Sequence, residues 1–451
     1  MHVPSSLIKK YNVPAPRYTS YPTVPFWEEE APDGELWLET VRRTFEASNE
    51  EKGMSLYIHL PFCESLCTYC ACNTRITKNH KVEAEYIKHL LAEWDIYLCN
   101  FKTTPVLREL HLGGGTPTFF SPESLEQLIA AILETVTVHP DHDFSFEGHP
   151  NNTTEAHLQT LYDLGFNRVS FGIQDTNLKV QQAINRVQPF EHVQKVTETA
   201  RRIGYQSVNF DLIYGLPFQT TDTIRETFEQ VASLRPERIA FYSYAHVPWK
   251  RPGQRAYSEE DLPSGDDKRK LYELGKEMLV EQGYEDIGMD HFALPEDALF
   301  STWQNGTLSR NFMGYTTFNT DLLIGLGASS ISDSQYAYFQ NPRKVEEYYQ
   351  MITSGQLKGI NGHFLSQEDM AVRAQILSIT CKGKLDWKGE TPSSTMIDQL
   401  KTIEQDGLIT LNSSGFEVTT LGMVFLRNIC MVFDKKLAAR TKNSPTFSQA
   451  I

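Results

Sequence analysis

The sequence predicts an α/β fold: an incomplete parallel barrel of about six βα units, (βα)6, with an N-terminal arm and a small winged-helix-like α/β module at the C-terminal end. Three observations carry this reading. Short apolar runs rich in strand formers alternate with stretches of helical spacing from residue 54 to about residue 290. The chain has 451 residues, too many for one small domain, and its 40% apolar and 11% aromatic content can fill a large core. Residues 361–451 then break the βα alternation.

Residues 1–48 read as an arm, because Pro14, Pro16 and Pro22 exclude a regular helix from its centre. Residues 49–360 form the expected catalytic domain. Its first strand is Met54–Leu60, followed by a helix over Val82–Leu98 and a strand over Leu107–Leu112. Ser121-Pro122-Glu123 is an N-cap, a first-turn proline and an early acid. Leu125, Leu128, Ile129, Ile132 and Leu133 then mark one helical face. Further strands fall at 143–148, 167–173, 207–213, 238–243 and 284–288. Repeated βα units imply a parallel sheet with helices outside. A closed eight-stranded barrel stays an alternative, but a count of about six or seven units fits a partial barrel better. In the expected lid or substrate module, 361–451, Met396–Asp406 reads as a helix. Asn412-Ser413-Ser414-Gly415 turns a hairpin between 408–411 and 416–419, and another helix starts near Leu421.

Charge excludes some functions. There are 42 Lys and Arg against 57 Asp and Glu, a formal charge of -15. Nucleic acid and anionic membranes need a cationic face, so neither is an expected partner. The module itself holds 10 basic and 9 acidic residues, which argues against a nucleic-acid role for its winged-helix pattern. No apolar run reaches membrane-span length, and Met1–Lys10 has no signal-peptide core. The expectation is a cytoplasmic protein.

Four of the seven cysteines crowd into Cys63-Glu64-Ser65-Leu66-Cys67-Thr68-Tyr69-Cys70-Ala71-Cys72, directly after the first strand. Such crowding points to metal rather than disulfides. A loop at the C-terminal end of a strand is where barrel enzymes place chemistry. The C-x3-C-x2-C spacing lets three thiolates reach three corners of a [4Fe–4S] cubane and leaves one iron open. Zinc sites come as paired C-x2-C knuckles or with a distant His pair, and no second pair exists here. Cys99, Cys381 and Cys430 read as buried small hydrophobes.

Gly113-Gly114-Gly115-Thr116-Pro117 follows the second strand, where glycines let the backbone approach a ligand. Glu147, Gln174 and Asp211 sit at the ends of the next three strands. Each alone could be structural, but three in succession read as a ligand-facing rim.

C-x3-C-x2-C after the first strand of a βα array resembles the radical S-adenosylmethionine superfamily, whose barrel is a TIM-like partial one. The resemblance narrows further. Pro16-Arg17-Tyr18-Thr19-Ser20-Tyr21-Pro22, Cys70-Ala71-Cys72-Asn73, Asn209-Phe210-Asp211-Leu212-Ile213-Tyr214-Gly215-Leu216-Pro217, Gly288-Met289-Asp290-His291-Phe292, Asn311-Phe312-Met313-Gly314-Tyr315-Thr316-Thr317 and Arg427-Asn428-Ile429-Cys430-Met431 all resemble oxygen-independent coproporphyrinogen III oxidases. They span nearly the whole chain.

This resemblance implies an oxidoreductase of haem (porphyrin) biosynthesis. It would decarboxylate two propionates of coproporphyrinogen III to vinyl groups, giving protoporphyrinogen IX. A [4Fe–4S] cluster on Cys63, Cys67 and Cys70 would cleave S-adenosylmethionine to a 5′-deoxyadenosyl radical. Two S-adenosylmethionine molecules are implied. Tyr57, Glu147 and Ile331 would contact the first. Tyr69, Gly114, Gly115, Thr116, Gln174, Arg186, Asp211 and Ala245 would contact the second. Cys72 would stand near the cluster without ligating it, a catalytic residue with no assigned step. An electron donor such as flavodoxin or ferredoxin, an unnamed electron acceptor and a monomeric state are also implied. Arg17 and Arg310, with Lys9 and Lys10, are candidates for the substrate's carboxylates. One departure stands out: Gly148-His149-Pro150 occupies the place of the family's usual Val-Asp-Pro. The alternatives are a haem-binding chaperone and a haem-degrading paralogue. Such chaperones generally lack the fourth cysteine and the Pro-Arg-Tyr-Thr-Ser-Tyr-Pro arm, and this chain has both.

Overall fold

A computed structural model describes residues 3–28, 32–387, 389, 392–439 and 447. The far end of the 361–451 module, residue 447 apart, lies outside them from residue 440 onward.

Six parallel strands make the centre: β1 (Met54–Leu60), β2 (Val106–Gly114), β3 (Thr137–Gly148), β4 (Arg168–Gln174), β5 (Ser207–Tyr214) and β6 (Arg238–Ser243). A seventh, β7 (Leu323–Leu326), pairs parallel to β1 on its other side. The expected partial barrel is therefore present. The sheet does not close. Antiparallel strands cap both edges: Ile331–Asp333, Ala337–Gln340 and Asn361–Phe364 beyond β7, and His291–Ala293 and Glu285–Gly288 beyond β6. The strand expected at 284–288 is thus an outer antiparallel strand, not another βα unit.

Helices cover the parallel strands, which explains why β1 reads as a continuous apolar run: all its positions are buried except the half-buried Tyr57. The helix at Val82–Leu98 has the predicted bounds. The next spans Pro122–Leu133, and the Ser121 side chain accepts from the Ser124 amide at its N-terminus. Its Leu125, Leu128, Ile129 and Ile132 are buried, and Leu133 only partly. A helix that apolar spacing had not drawn attention to, Gly34–Lys52, is capped by Asp33 and packs Trp37, Val41 and Phe45 into the barrel core.

The C-terminal module has helices at Gln367–Lys382 and Ser394–Gln405, the hairpin Ile409–Asn412 with Gly415–Val418, and a third strand at Lys384–Asp386. The expected final helix begins as a 3-10 turn, Gly422–Phe425, and continues as Leu426–Met431. Val3, Tyr11, Tyr18 and Tyr21 of the arm belong to this module's apolar core. Cys381 and Cys430 are buried as expected, but Cys99 is exposed, because it caps the helix end at Leu98 on the outer surface. No helix among the described residues is long and apolar enough to cross a membrane.

Candidate active site

The strand ends build one cleft of about 870 Å³. Parallel register brings them level: Leu60 pairs with Gly114, Glu147 with Ser170, and Gly172 with Asp211. The cleft is lined by Cys63, Cys67, Cys70, Cys72, Tyr69, Gly114, Gly115, Thr116, Glu147, Gln174, Arg186 and Asp211. With Cys72 counted, these are twelve of the fifteen residues expected at the cluster and S-adenosylmethionine, and none comes from the arm.

The cysteine loop leaves β1 and is pinned from several sides. The Arg75 amide donates to the Pro61 carbonyl and the Thr77 amide to the Cys63 carbonyl. Arg251 reaches the Ala71 carbonyl from the loop after β6. The Cys63 sulfur lies 3.3 Å from the Thr116 hydroxyl. The Cys72 amide donates to the Cys70 sulfur at 3.4 Å, and Arg186 Nη1 lies 3.6 Å from the Cys67 sulfur. All four thiols are free. No group of three or more His, Cys, Asp or Glu among the described residues is gathered to hold a single metal ion. A cubane needs no such gathering, since it takes one thiolate at each of three corner irons. Three free, half-buried thiols on one loop, facing one cleft, fit that donor set.

The glycine segment works by absence of side chains. Gly114 has φ +114, and a Cβ there would lie 2.6 Å from the His59 ring. A Cβ on Gly115 would meet the Pro61 backbone at 2.6 Å. Its amide donates to the Leu60 carbonyl and that of Thr116 to Phe62, so the glycine turn is stitched to the cysteine loop.

Charges on the rim differ. Burial would lift the Glu147 carboxyl, but His111, the Gly114 amide and His59 outweigh it and hold it below its ordinary value. Asp211 is pushed up to about 6 by burial and then by the charge of Glu147, against hydrogen bonds from Asn209 and Ser170. Gln174 has φ +68, a left-handed conformation that costs a non-glycine residue energy and clusters at ligand sites. A break in register between Gly172 and Gln174 accompanies it.

Three expected contacts, Tyr57, Ile331 and Ala245, lie outside the lining. Tyr57 stands directly behind it: its hydroxyl meets His59 Nδ1 at 3.0 Å, and a Cβ on Gly113 would touch both Tyr57 and Glu147. Ile331 is half-buried on the edge strand Ile331–Asp333, and its carbonyl faces Gly325 of β7, the residue paired with Tyr57. Ala245 follows β6; the Gln254 side chain donates to both its carbonyl and that of Tyr69. His149 lines the cleft as a neutral imidazole, pushed down to about 2 by burial and by Arg186, and its Nδ1 accepts from the Asn151 amide. Sequence reasoning passed over His59, His111 and Arg251. His111 alternates with Glu109 and Gly113 on one face of β2, a period-2 signal that could have flagged it.

Arg17 and Arg310 meet at a second, smaller cavity between arm, barrel end and module. Lys9 and Lys10 do not join them: Lys9 is exposed, and Lys10 is paired with Asp406 of the module.

A partial parallel barrel with three thiols on the loop after β1, a glycine cradle after β2 and an acidic rim defines a radical S-adenosylmethionine enzyme. The sequence model of the radical SAM superfamily matches residues 57–231. The chain is 38% identical to the oxygen-independent coproporphyrinogen III oxidase of Pseudomonas aeruginosa, over 99% of this chain and 98% of that one. It is 39% identical to the enzyme of the same name from Helicobacter pylori, over 96% and 97%. The solved structure of the Escherichia coli coproporphyrinogen III oxidase, described as a radical SAM enzyme, superposes with a TM-score of 0.89 at 34% identity, covering 97% of this chain and 99% of that one. The chain belongs to the oxygen-independent coproporphyrinogen III oxidase family.

Proposed function

We propose that this chain oxidatively decarboxylates two propionate side chains of coproporphyrinogen III to vinyl groups without oxygen, yielding protoporphyrinogen IX. The observation that carries it is the single cleft holding Cys63, Cys67 and Cys70 beside the Gly114–Gly115 cradle and the Glu147, Gln174 and Asp211 rim. When bound there, a [4Fe–4S] cluster and S-adenosylmethionine supply a radical that accepts a hydrogen atom. For each propionate, one hydrogen atom leaves the β-carbon, the carboxylate departs as CO2, and one electron passes to an external acceptor. That balance gives one vinyl group.

The protein's own part is to hold and to exclude. Cys63, Cys67 and Cys70 present the three thiolates, and Cys72 stands beside them as a non-ligand. Arg186 faces the methionyl carboxylate, and Asp211 and Glu147 accept from ribose or ammonium groups. Tyr69, Thr116, Gln174 and Ala245 complete that site. Tyr57, Glu147 and Ile331 would hold a second S-adenosylmethionine. A small redox protein such as flavodoxin or ferredoxin supplies the electron.

The test is direct. Anaerobic reconstitution with iron, sulfide, reductant, S-adenosylmethionine, coproporphyrinogen III and a one-electron acceptor yields 5′-deoxyadenosine, CO2 and protoporphyrinogen IX. Cleavage of S-adenosylmethionine without decarboxylation rejects the substrate and keeps the radical chemistry. Retention of haem without any cleavage points instead to a haem-carrying role.

A further inference from the structure

The cavity away from the cysteine loop lies where three parts of the chain meet. Arg17 comes from the arm, Arg427 from the module and Arg310 from the short strand Ser309–Asn311, with Tyr214, Ser243, Tyr272 and Asp290 from the barrel end. Arg310 is only 7% exposed. Its Nε and Nη1 are buried with no hydrogen-bond partner, and among the described residues it forms no ion pair. Its guanidinium lies 4.7 Å from the centre of the Tyr315 ring, which contributes attraction but accepts none of those protons. A buried, unpaired guanidinium is costly unless something completes it.

The neighbours do not. Asp290 lies 3.7 Å from Arg17, and Asp286 is taken by Lys276. Lys268 adds another cation from the adjacent helix, its amine donating to the Tyr244 carbonyl. His291, facing Arg310, is neutral: its Nδ1 donates to the Met289 carbonyl and its Nε2 faces the Tyr242 hydroxyl. Arg427 donates to the carbonyls of Ala15 and Pro16, which ties the module's cation to the arm at the cavity. The carboxylates lining the cavity, Asp290 and Asp286, therefore pair with Arg17 and Lys276 rather than with Arg310. Burial and then Arg17 push Lys268 down to about 8 and Arg427 down to about 10, as expected where buried cations crowd one another.

Two further features set this cavity apart from ordinary surface charge. The turn that carries Asp290 holds Met289 at φ +49 and Asp290 at φ +70, consecutive left-handed non-glycine residues. Tyr242 lines the cysteine cleft and also lies 5.7 Å under the Arg17 guanidinium, so one ring separates the two cavities.

We infer that this cavity is a carboxylate-binding site for a propionate of the substrate other than the one reacting in the cysteine cleft. The inference rests on the proposed function. A macrocycle bearing four propionates on its rim can place one at the cleft and a second across Tyr242. There its carboxylate completes Arg310 and meets Arg17 and Arg427. Because those three arginines come from strand, arm and module, an occupied site ties the three parts together and sets which propionate reaches the radical.

The test uses the reconstituted full chain and two readouts, KM for coproporphyrinogen III and binding of coproporphyrin III followed by quenching of tryptophan fluorescence. Arg310→Met and the more exposed Arg17→Gln each weaken coproporphyrin III binding and raise KM by roughly 10- to 100-fold. Iron content and the slow cleavage of S-adenosylmethionine without substrate stay unchanged, and Arg310→Lys restores part of the loss. The tetra-amide of coproporphyrin, which keeps the macrocycle and lacks the charges, binds the wild type and both variants equally. Unchanged coproporphyrin III binding in Arg17→Gln and in folded, iron-replete Arg310→Met overturns the site. Failure of the wild type itself to decarboxylate coproporphyrinogen III overturns the functional reading beneath it.

Discussion

Arg186 stands 3.6 Å from the Cys67 sulfur through Nη1, while its Nη2 donates to the Gly172 carbonyl at 2.6 Å. The cation is thus anchored to β4 and aimed across the cysteine loop. Its Nε is buried without a partner, leaving a donor for an incoming carboxylate. Arg186→Gln removes that charge-assisted bond, worth about 1.5–3 kcal/mol. The expected outcome is a 10- to 100-fold weaker S-adenosylmethionine affinity with normal iron content. Titration of the reduced cluster's electron paramagnetic resonance signal with S-adenosylmethionine measures it, and unchanged affinity removes Arg186 from the site.

Cys72 separates from its neighbours in the same loop. It is exposed, and its amide donates to the Cys70 sulfur. Cys72→Ala keeps that amide and so keeps the cluster, whereas alanine at Cys63, Cys67 or Cys70 removes a ligand. Iron and sulfide analysis after anaerobic reconstitution distinguishes the two classes. A cluster lost in Cys72→Ala makes Cys72 a ligand.

Much of this site was legible because its chemistry sits at regular intervals. A thiolate loop, a glycine turn and three polar strand ends recur once per βα unit, and parallel register turns that recurrence into one rim. The second cavity was legible only in pieces. Arg17 and Arg310 could be named as cations, yet nothing in their spacing brings them together, since they are joined by the docking of arm and module onto the barrel end. Lys10 shows the converse. It resembled Arg17 in sequence, but its neighbour Tyr11 is drawn into the module's core and carries Lys10 to Asp406. The helix Gly34–Lys52 escaped because its 19 residues carry many acids and little net apolarity, and three of its buried positions, Thr44, Ser48 and Asn49, are polar.

The arm is held on the module by buried polar contacts as well as by its aromatic rings. The Tyr18 hydroxyl donates to Asp434 at 3.0 Å, and the Asn428 side chain donates to the Tyr11 carbonyl at 2.9 Å. Tyr18→Phe keeps the ring and leaves the buried Asp434 short of a donor, at a cost of about 1–3 kcal/mol. The arm then opens more often. Limited proteolysis should cut within residues 12–23 several-fold faster than in the wild type, with the barrel intact. Equal cleavage rates would mean that the rings alone hold the arm.

The last prediction concerns a carboxyl deep in the barrel, away from both cavities. Glu109 is 4% exposed and bonded by the hydroxyls of Ser55 and Thr316. Burial pushes its pKa from 4.5 up to about 8, with the charge of Asp143 adding to the rise and the Ser55 bond and Arg168 opposing it. The folded protein therefore holds a proton at neutral pH that the unfolded chain has released. Stability from this group is fully present below the unfolded value near 4.5 and is lost as pH rises through 8. Glu109→Gln keeps the shape and a donor and cannot ionise. It should match the wild type at pH 5 and melt about 5 °C higher at pH 9. Thermal denaturation of the apoprotein at both pH values checks this. A variant destabilised equally at pH 5 and pH 9 would show that Glu109 is ionised throughout and serves as the counter-charge to Arg168.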